Sequence, residues 1–436
     1  MKRWIFLLAT GTLAAQPGYF RDIRPILQKQ CQGCHQPANK MSDLDVTTFD
    51  AFKKGGKRGT AIATVVKYLT GETQPRMPLG SPELPAADIA KFREWIAAGA
   101  KDDSPAETSS SQPIVYLQPP VITALRWSPD GSQLAVNGNR EVIVHSSDGK
   151  RILHRLAGKA ERILSISYSP KGDLLAAGGG TPAQFGEVQL WDPRSGKFLR
   201  SATLTNDTVF GAAVSPDGSR VSVGAADNTV HMIDTATGKE LFKNSNHEGW
   251  VLGTVFGIDS KRFVTVSRDR AAKLTDSNTG AFLENVNLLR GELTAIARHP
   301  KKDVVAIGTE DRYAFVYMMD RPRNMKIADD TTLIHKIDRQ DGAITSMDWS
   351  SDGSRIAIAG LSPVVNLYNA DTGKLASQCK GHSAGIYSVA FSPDGKQLAT
   401  GGFDGMVRVY SAATCQLQLT FSPVPLSHGN PTGAGQ

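Results

Sequence analysis

The sequence predicts a mainly β protein built from seven repeats of one four-stranded unit, with a small all-α region in front of them. Three observations carry this. First, the tetrapeptide "SPDG" recurs at Ser128, Ser215 and Ser392, with variants "SPKG" at Ser169 and "SSDG" at Ser350 and weaker equivalents near Asp259 ("GIDSKR") and His299 ("HPKKD"), at an interval of about 42 residues. Second, each copy sits in the same order of segments: an alternating strand, the turn, a second strand ending in small residues, a third strand, and a fourth. The hairpin before that fourth strand is marked by "SGK" at Ser195, "TGK" at Thr237 and Thr372, or "TGA" at Thr279. Third, the chain before the polar stretch "KDDSPAETSSSQP" (101–113) has helical rather than alternating periodicity.

Composition agrees: 42 glycines and 23 prolines in 436 residues supply the turns that many short strands require. The net charge of +7 is mild and scattered, and Lys2 and Arg3 belong to a segment expected to be removed, so nucleic acid is not an expected partner. Residues 1–15 read as a signal peptide: a basic start, an apolar run from Trp4 to Leu13, then Ala14 and Ala15. That run is shorter than the roughly 20 residues a bilayer span needs, so the expectation is an exported, periplasmic bacterial protein without a transmembrane anchor. The expected layout is 1–15 signal peptide, 16–102 helical domain, 103–113 linker, 114–423 repeat domain and 424–436 disordered tail.

Seven copies fit between Val121 and Phe421, and the pattern resembles the WD-repeat β-propeller family. Only Trp191-Asp192 keeps the eponymous dipeptide; Ile233, Thr275, Tyr317, Tyr368 and Tyr410 stand there in other copies. Of the family's buried hydrogen-bonding set, His247 with Asp269 and His382 with Asp404 are the best matches, which makes both histidines structural. Two segments, 114–117 and 416–421, compete for the outer strand of blade seven. Repeat alignment sets Cys379 and Cys415 on opposite faces, beyond the ~7 Å reach of a disulfide, so they are expected to be unpaired.

In the helical region, Phe20, Ile23, Ile26 and Leu27 form one apolar stripe, and Ile89, Phe92, Trp95 and Ile96 another, ending at Gly99 in a C-cap position. Phe92 and Trp95 are expected core residues. Between the stripes lies "KQCQGCHQP" (29–37). Cys31, Cys34 and His35 supply three zinc ligands where a structural site needs about four, and no other Cys or His occurs before His145. A redox pair would be expected at a helix N-terminus, whereas Cys31 follows a helix. Haem fits the spacing: thioether links from Cys31 and Cys34, with the adjacent His35 as proximal iron ligand.

His35 is the only histidine of this region, so the distal ligand is sought among Met41 and Met77, with Met406 of the repeats as a remote alternative. Met41 follows His35 too closely. Met77, in "QPRMPLG", is held by Pro75 and Pro78 and is the expected ligand. The cluster "KKGGKR" (53–58) reads as a solvated loop, with docking of an acidic redox partner or contact with haem propionates as alternatives, and Gly55 and Gly56 as a tight turn close to the haem.

The runs "RDIRPILQKQCQGCH", "FKKGGKRG", "RMP" and "IAKFREWIAAGA" together resemble the planctomycete-type cytochrome c domain over about residues 18–102. The resemblance implies one covalent haem c at Cys31 and Cys34, with His35 proximal and Met77 distal. The expected function is electron transfer with an unidentified redox partner protein, beside a propeller that binds a partner or ligand. It is expected to be no enzyme, the alternative being a haem-dependent oxidoreductase or a haem sensor or scaffold.

Overall fold

The computed structural model describes residues 16–36, 39–104, 114–288, 290–320 and 329–427. The expected signal peptide, most of the expected linker and the last nine residues lie outside them. The chain divides into two compact units, residues 1–108 and 109–436.

Among its described residues the first unit holds four α-helices: α1 (Arg24–Gln30), α2 (Phe49–Lys54), α3 (Ala61–Thr70) and α4 (Ala86–Ala97). Ahead of α1, residues Tyr19–Ile23 form a π-helical turn in which Ile23 N–H bonds to Gly18 O. The wider turn shifts the register by one residue. Tyr19 therefore joins Ile23, Ile26 and Leu27 in the core, and Phe20, expected there, is 39% exposed. Tyr19 packs on Phe49, Phe52 and Trp95, and Phe92 is fully buried beside them. Helix α4 ends in a Schellman motif: Gly99 at φ 93°, its N–H on Ile96 O, and Ala100 N–H on Trp95 O. Asp103, expected in the linker, belongs to this unit, since its carboxylate accepts from Phe20 N–H at 2.6 Å.

The second unit is seven four-stranded antiparallel blades: 125–157, 163–205, 209–244, 251–285, 293–337, 344–379 and 386–421. Blades one and two share the 17-residue strand Ile152–Tyr168, which is the outer strand of one and the inner strand of the next. The recurring turns explain themselves chemically. In "SPDG" the Ser hydroxyl donates to the Asp carboxylate (Ser128–Asp130 2.6 Å, Ser392–Asp394 2.6 Å) and accepts the N–H five residues on (Gln133, 2.9 Å). In blade five His299 replaces the serine, its Nδ1 accepting from Lys301 N–H. The residues at the Trp191 position are all buried, so it is a core position tolerant of shape.

The buried polar sets differ between blades. His247 bridges Asp269 (2.7 Å) and Thr265 (2.8 Å). Burial opposes ionisation of Asp269, but the bonds from His247, Ala271 and Glu248 win and hold its carboxyl well below the usual range. In blade seven Arg408 intrudes: it donates to both His382 Nδ1 (3.0 Å) and Asp404 (2.7 Å), and His382 reaches Thr400 through Nε2. Burial, reinforced by Arg408, lowers the His382 pKa to about 4.

The outer strand of blade seven is Leu417–Phe421, so all seven blades are made of consecutive chain. The ring closes where Ile122 N–H meets Gly402 O and Leu125 N–H meets Ser388 Oγ. Residues 114–117 serve a different end. Tyr116 forms a parallel bridge with Leu426 and packs with Ile143 and Val424. Its hydroxyl donates to the buried Glu141 (2.7 Å), which also holds Arg155. Residues 424–427, expected in the disordered tail, are held in place: Val424 is 3% exposed, and Ser427 N–H bonds Tyr116 O.

Cys379 and Cys415 are bonded, with Cα atoms 4.6 Å apart, which corrects the expectation of free thiols. The error lay in treating a blade as flat. Neighbouring strands rotate by ~20–25° each, so the outer strand ends far from the inner strand's direction and reaches the next blade's hairpin. Five hairpin glycines of other blades show the same contact: a Cβ on Gly149, Gly196, Gly238, Gly280 or Gly373 would press on Phe421, His154, Arg200, Phe242 or His335 of the preceding blade. Cys415 occupies that glycine position, at φ 56°, and bonds where the others merely pack.

Candidate functional site

The turn after α1 is set by Cys34 N–H and His35 N–H both bonding Cys31 O (3.2 and 3.0 Å). Cys31 and Cys34 are free thiols, the first half-buried against the helical core and the second exposed. Burial, with a smaller push from Cys34, raises the Cys31 pKa to about 11. A thiol-exchange nucleophile needs the opposite shift. Among the described residues, no three His, Cys, Asp or Glu side chains are placed to share a metal ion.

His35 Nδ1 lies 2.9 Å from Met41 O. A carbonyl only accepts, so Nδ1 carries the proton and Nε2 presents its lone pair. This is the outer hydrogen bond by which proteins orient a metal-binding imidazole. Met41 thus contributes its backbone, and its side chain is 48% exposed. Behind this segment, Lys57 N–H bonds Ser42 O (2.8 Å), and a Cβ on Gly56 would strike Ser42 O at 2.4 Å. Gly55, at φ 76°, turns the chain into that contact. Lys57 pairs with Asp43 (3.4 Å).

Met77 packs against the same apolar cluster as Cys31. Its N–H bonds Tyr68 O (2.9 Å), and Arg58 Nη1 holds Gln74 O of the same loop (3.0 Å).

In the β unit the mouth of the central channel takes its rim from one column of the repeat, the residue after the first buried aliphatic of each inner strand. Thr123 and Thr345 use their hydroxyls on the next blade's carbonyls, Ile163 O (2.7 Å) and Ile386 O (2.5 Å). Thr294 is a third rim threonine, its hydroxyl donating to Gly308 O (3.3 Å), and Leu164, Phe210, Leu252 and Tyr387 give the other four places a mainly apolar character. Phe210 stacks on Trp250 (5.4 Å), and Arg268 covers the other ring contact (4.2 Å); Trp250 is 40% exposed. Deeper in, Arg126 of blade one pairs with Asp348 of blade six (3.1 Å). Sequence reasoning did not single out these residues, although the column was readable once the repeats were aligned.

The "WD domain, G-beta repeat" model matches residues 196–234 and 373–411, and the "Anaphase-promoting complex subunit 4 WD40 domain" model matches 296–389. The chain therefore carries WD40 repeats. Similar proteins include WD repeat-containing protein RUP1 of Arabidopsis thaliana, 28% identical over 53% of this chain and 61% of the relative. Autophagy-related protein 16 of the same plant is 25% identical over 52% of this chain and 43% of its own length. COMPASS component SWD3 of Saccharomyces cerevisiae is 27% identical over 32% and 44%. The chain thus spans less than two thirds of the length of each of these relatives.

Proposed function

We propose that the chain is an exported, periplasmic c-type cytochrome: its first unit binds one haem covalently through Cys31 and Cys34 and exchanges electrons with a redox partner protein, and its WD-repeat propeller binds a protein partner. The observation that carries the haem reading is His35. It directly follows two free thiols on one tight turn, with its proton fixed on Nδ1 by Met41 O and Nε2 left as the donor atom. The residues fit the group. Cys31 and Cys34 would form the two thioethers, His35 would ligate the iron on one side, and Met77 on the other. Bound there, haem supplies a one-electron ferrous–ferric couple. The chain's task is to fix both ligands and keep the apolar cluster around Cys31 and Met77 dry, which favours the ferrous form.

The propeller reading rests on the mouth: Phe210, Trp250 and Arg268 form an exposed aromatic–cation platform of the kind that anchors protein interfaces.

The test of the ligand set is Met77→Ala. The oxidised, unmodified protein is expected to show the weak near-infrared sulfur-to-iron band. Met77→Ala should lose it, lower the potential and bind carbon monoxide when reduced, and Met41→Ala should do none of these. An intact band in Met77→Ala refutes the assignment.

A further inference from the structure

The helical unit contains two buried side-chain donors without a hydrogen-bonding partner among the described residues: Tyr19 Oη and Arg76 Nη1. Buried polar groups in folded proteins almost always have partners, so each such exception calls for a missing one. Tyr19 is 1% exposed, and its ring is clamped by Phe49, Phe52 and Trp95, so the hydroxyl cannot swing out to water. Burial keeps it protonated, raising its pKa well above the ordinary value. Arg76 donates through Nη2 to Ser81 O (3.1 Å), and its Nε lies 4.0 Å from the exposed Glu83. Its stem packs over Gly71, and Nη1 remains enclosed and unused.

Both groups belong to the unit that carries Cys31, His35 and Met77. Tyr19 is part of the cluster that Cys31 and Met77 pack against, and Arg76 directly precedes Met77. Both lack the same thing, an acceptor. A haem brings two carboxylate side chains, and a guanidinium N–H and a phenol O–H are suited donors for them.

We propose that Tyr19 Oη and Arg76 Nη1 are the donors that hold the two carboxylates of the haem attached at Cys31 and Cys34. The inference rests on the haem reading above. It assigns both residues a positioning role: the carboxylates fix the tilt of the ring against His35 and Met77, and Arg76 adds a positive charge that disfavours the ferric state.

The test uses the full haem-loaded chain with Tyr19→Phe, Arg76→Gln and Arg76→Lys. Resonance Raman spectra should show the propionate bending band shifted in Tyr19→Phe and in Arg76→Gln. Arg76→Gln should also lower the reduction potential, and Arg76→Lys should restore most of it. Thermal midpoints add a sign that a merely structural role would not give. Tyr19→Phe should lower the midpoint of the haem-loaded protein, yet leave it equal or higher in a haem-free Cys31→Ala/Cys34→Ala background, where the hydroxyl has no acceptor to lose. Unshifted bands in both variants, with haem attached in full, overturn the proposal, as does an equal Tyr19→Phe penalty in both backgrounds. Where the haem-free chain does not fold, the Raman comparison decides alone. A chain that carries no haem at all refutes the haem reading itself, and its mass shows this separately.

Discussion

Cys415 offers a substitution whose two opposing effects can be worked out beforehand. The Cys379–Cys415 bond closes a segment with a sequence separation of 36. By chain entropy, such a cross-link stabilises the fold by about 4 kcal/mol. Cys415 also sits at φ 56° in a hairpin where five other blades have glycine, a left-handed conformation that costs a side chain about 1 kcal/mol. Cys415→Ala should therefore lose about 4 kcal/mol, and Cys415→Gly, which relieves the backbone, only about 3 kcal/mol. The freed Cys379 thiol is fully buried among apolar side chains and adds no further penalty, since a thiol behaves as a small hydrophobe. Urea unfolding of the full chain, followed by far-ultraviolet circular dichroism under non-reducing conditions, separates the variants. The reasoning fails if dithiothreitol leaves the wild-type β transition where it was, or if the glycine and alanine variants lose equally.

Two further outcomes concern the propeller's polar sites. His382 is neutral in the fold, with a pKa of about 4, whereas the unfolded chain takes up that proton near 6.5. Stability should therefore fall by up to about 3 kcal/mol as pH drops from 6.5 towards 4, and fall further below that as Asp269 and Asp404, both held low in the fold, become protonated. Denaturant titrations across this range should flatten in His382→Gln; an equal slope in that variant contradicts the assignment. Glu141 is buried under Tyr116 and Arg155, so Glu141→Ala should cost about 3–5 kcal/mol by stranding both partners, and Glu141→Gln less, because the amide oxygen still accepts. Equal losses in the two variants would remove Arg155 from the explanation.

What could be read from sequence follows how local each feature is. The blades were legible because each is written in consecutive residues: "SPDG" and "TGK" are turns whose side chains bond within five residues. His247 with Asp269 was legible because the repeat fixes their separation, and the same rule missed Arg408, which displaces Asp404 from His382 without breaking the pattern. Phe20 was placed inward because an α-helical period was applied across a π-helical turn. The disulfide and the Tyr116–Leu426 closure depend on blade twist and on segments hundreds of residues apart, which no local period reports. In the helical unit, the motif residues Cys31, Cys34 and His35 were visible at once. The Met41 carbonyl that orients His35 was not, because a backbone acceptor leaves no mark in the sequence.

The most direct measurement is the intact mass of the denatured mature chain, produced with haem-attachment machinery, beside the Cys31→Ala/Cys34→Ala variant. A gain of one haem mass in the unmodified chain, with colour retained after denaturation and both lost in the variant, is the expected result. A chain at its bare polypeptide mass, or a variant that still carries covalent haem, contradicts attachment at Cys31 and Cys34.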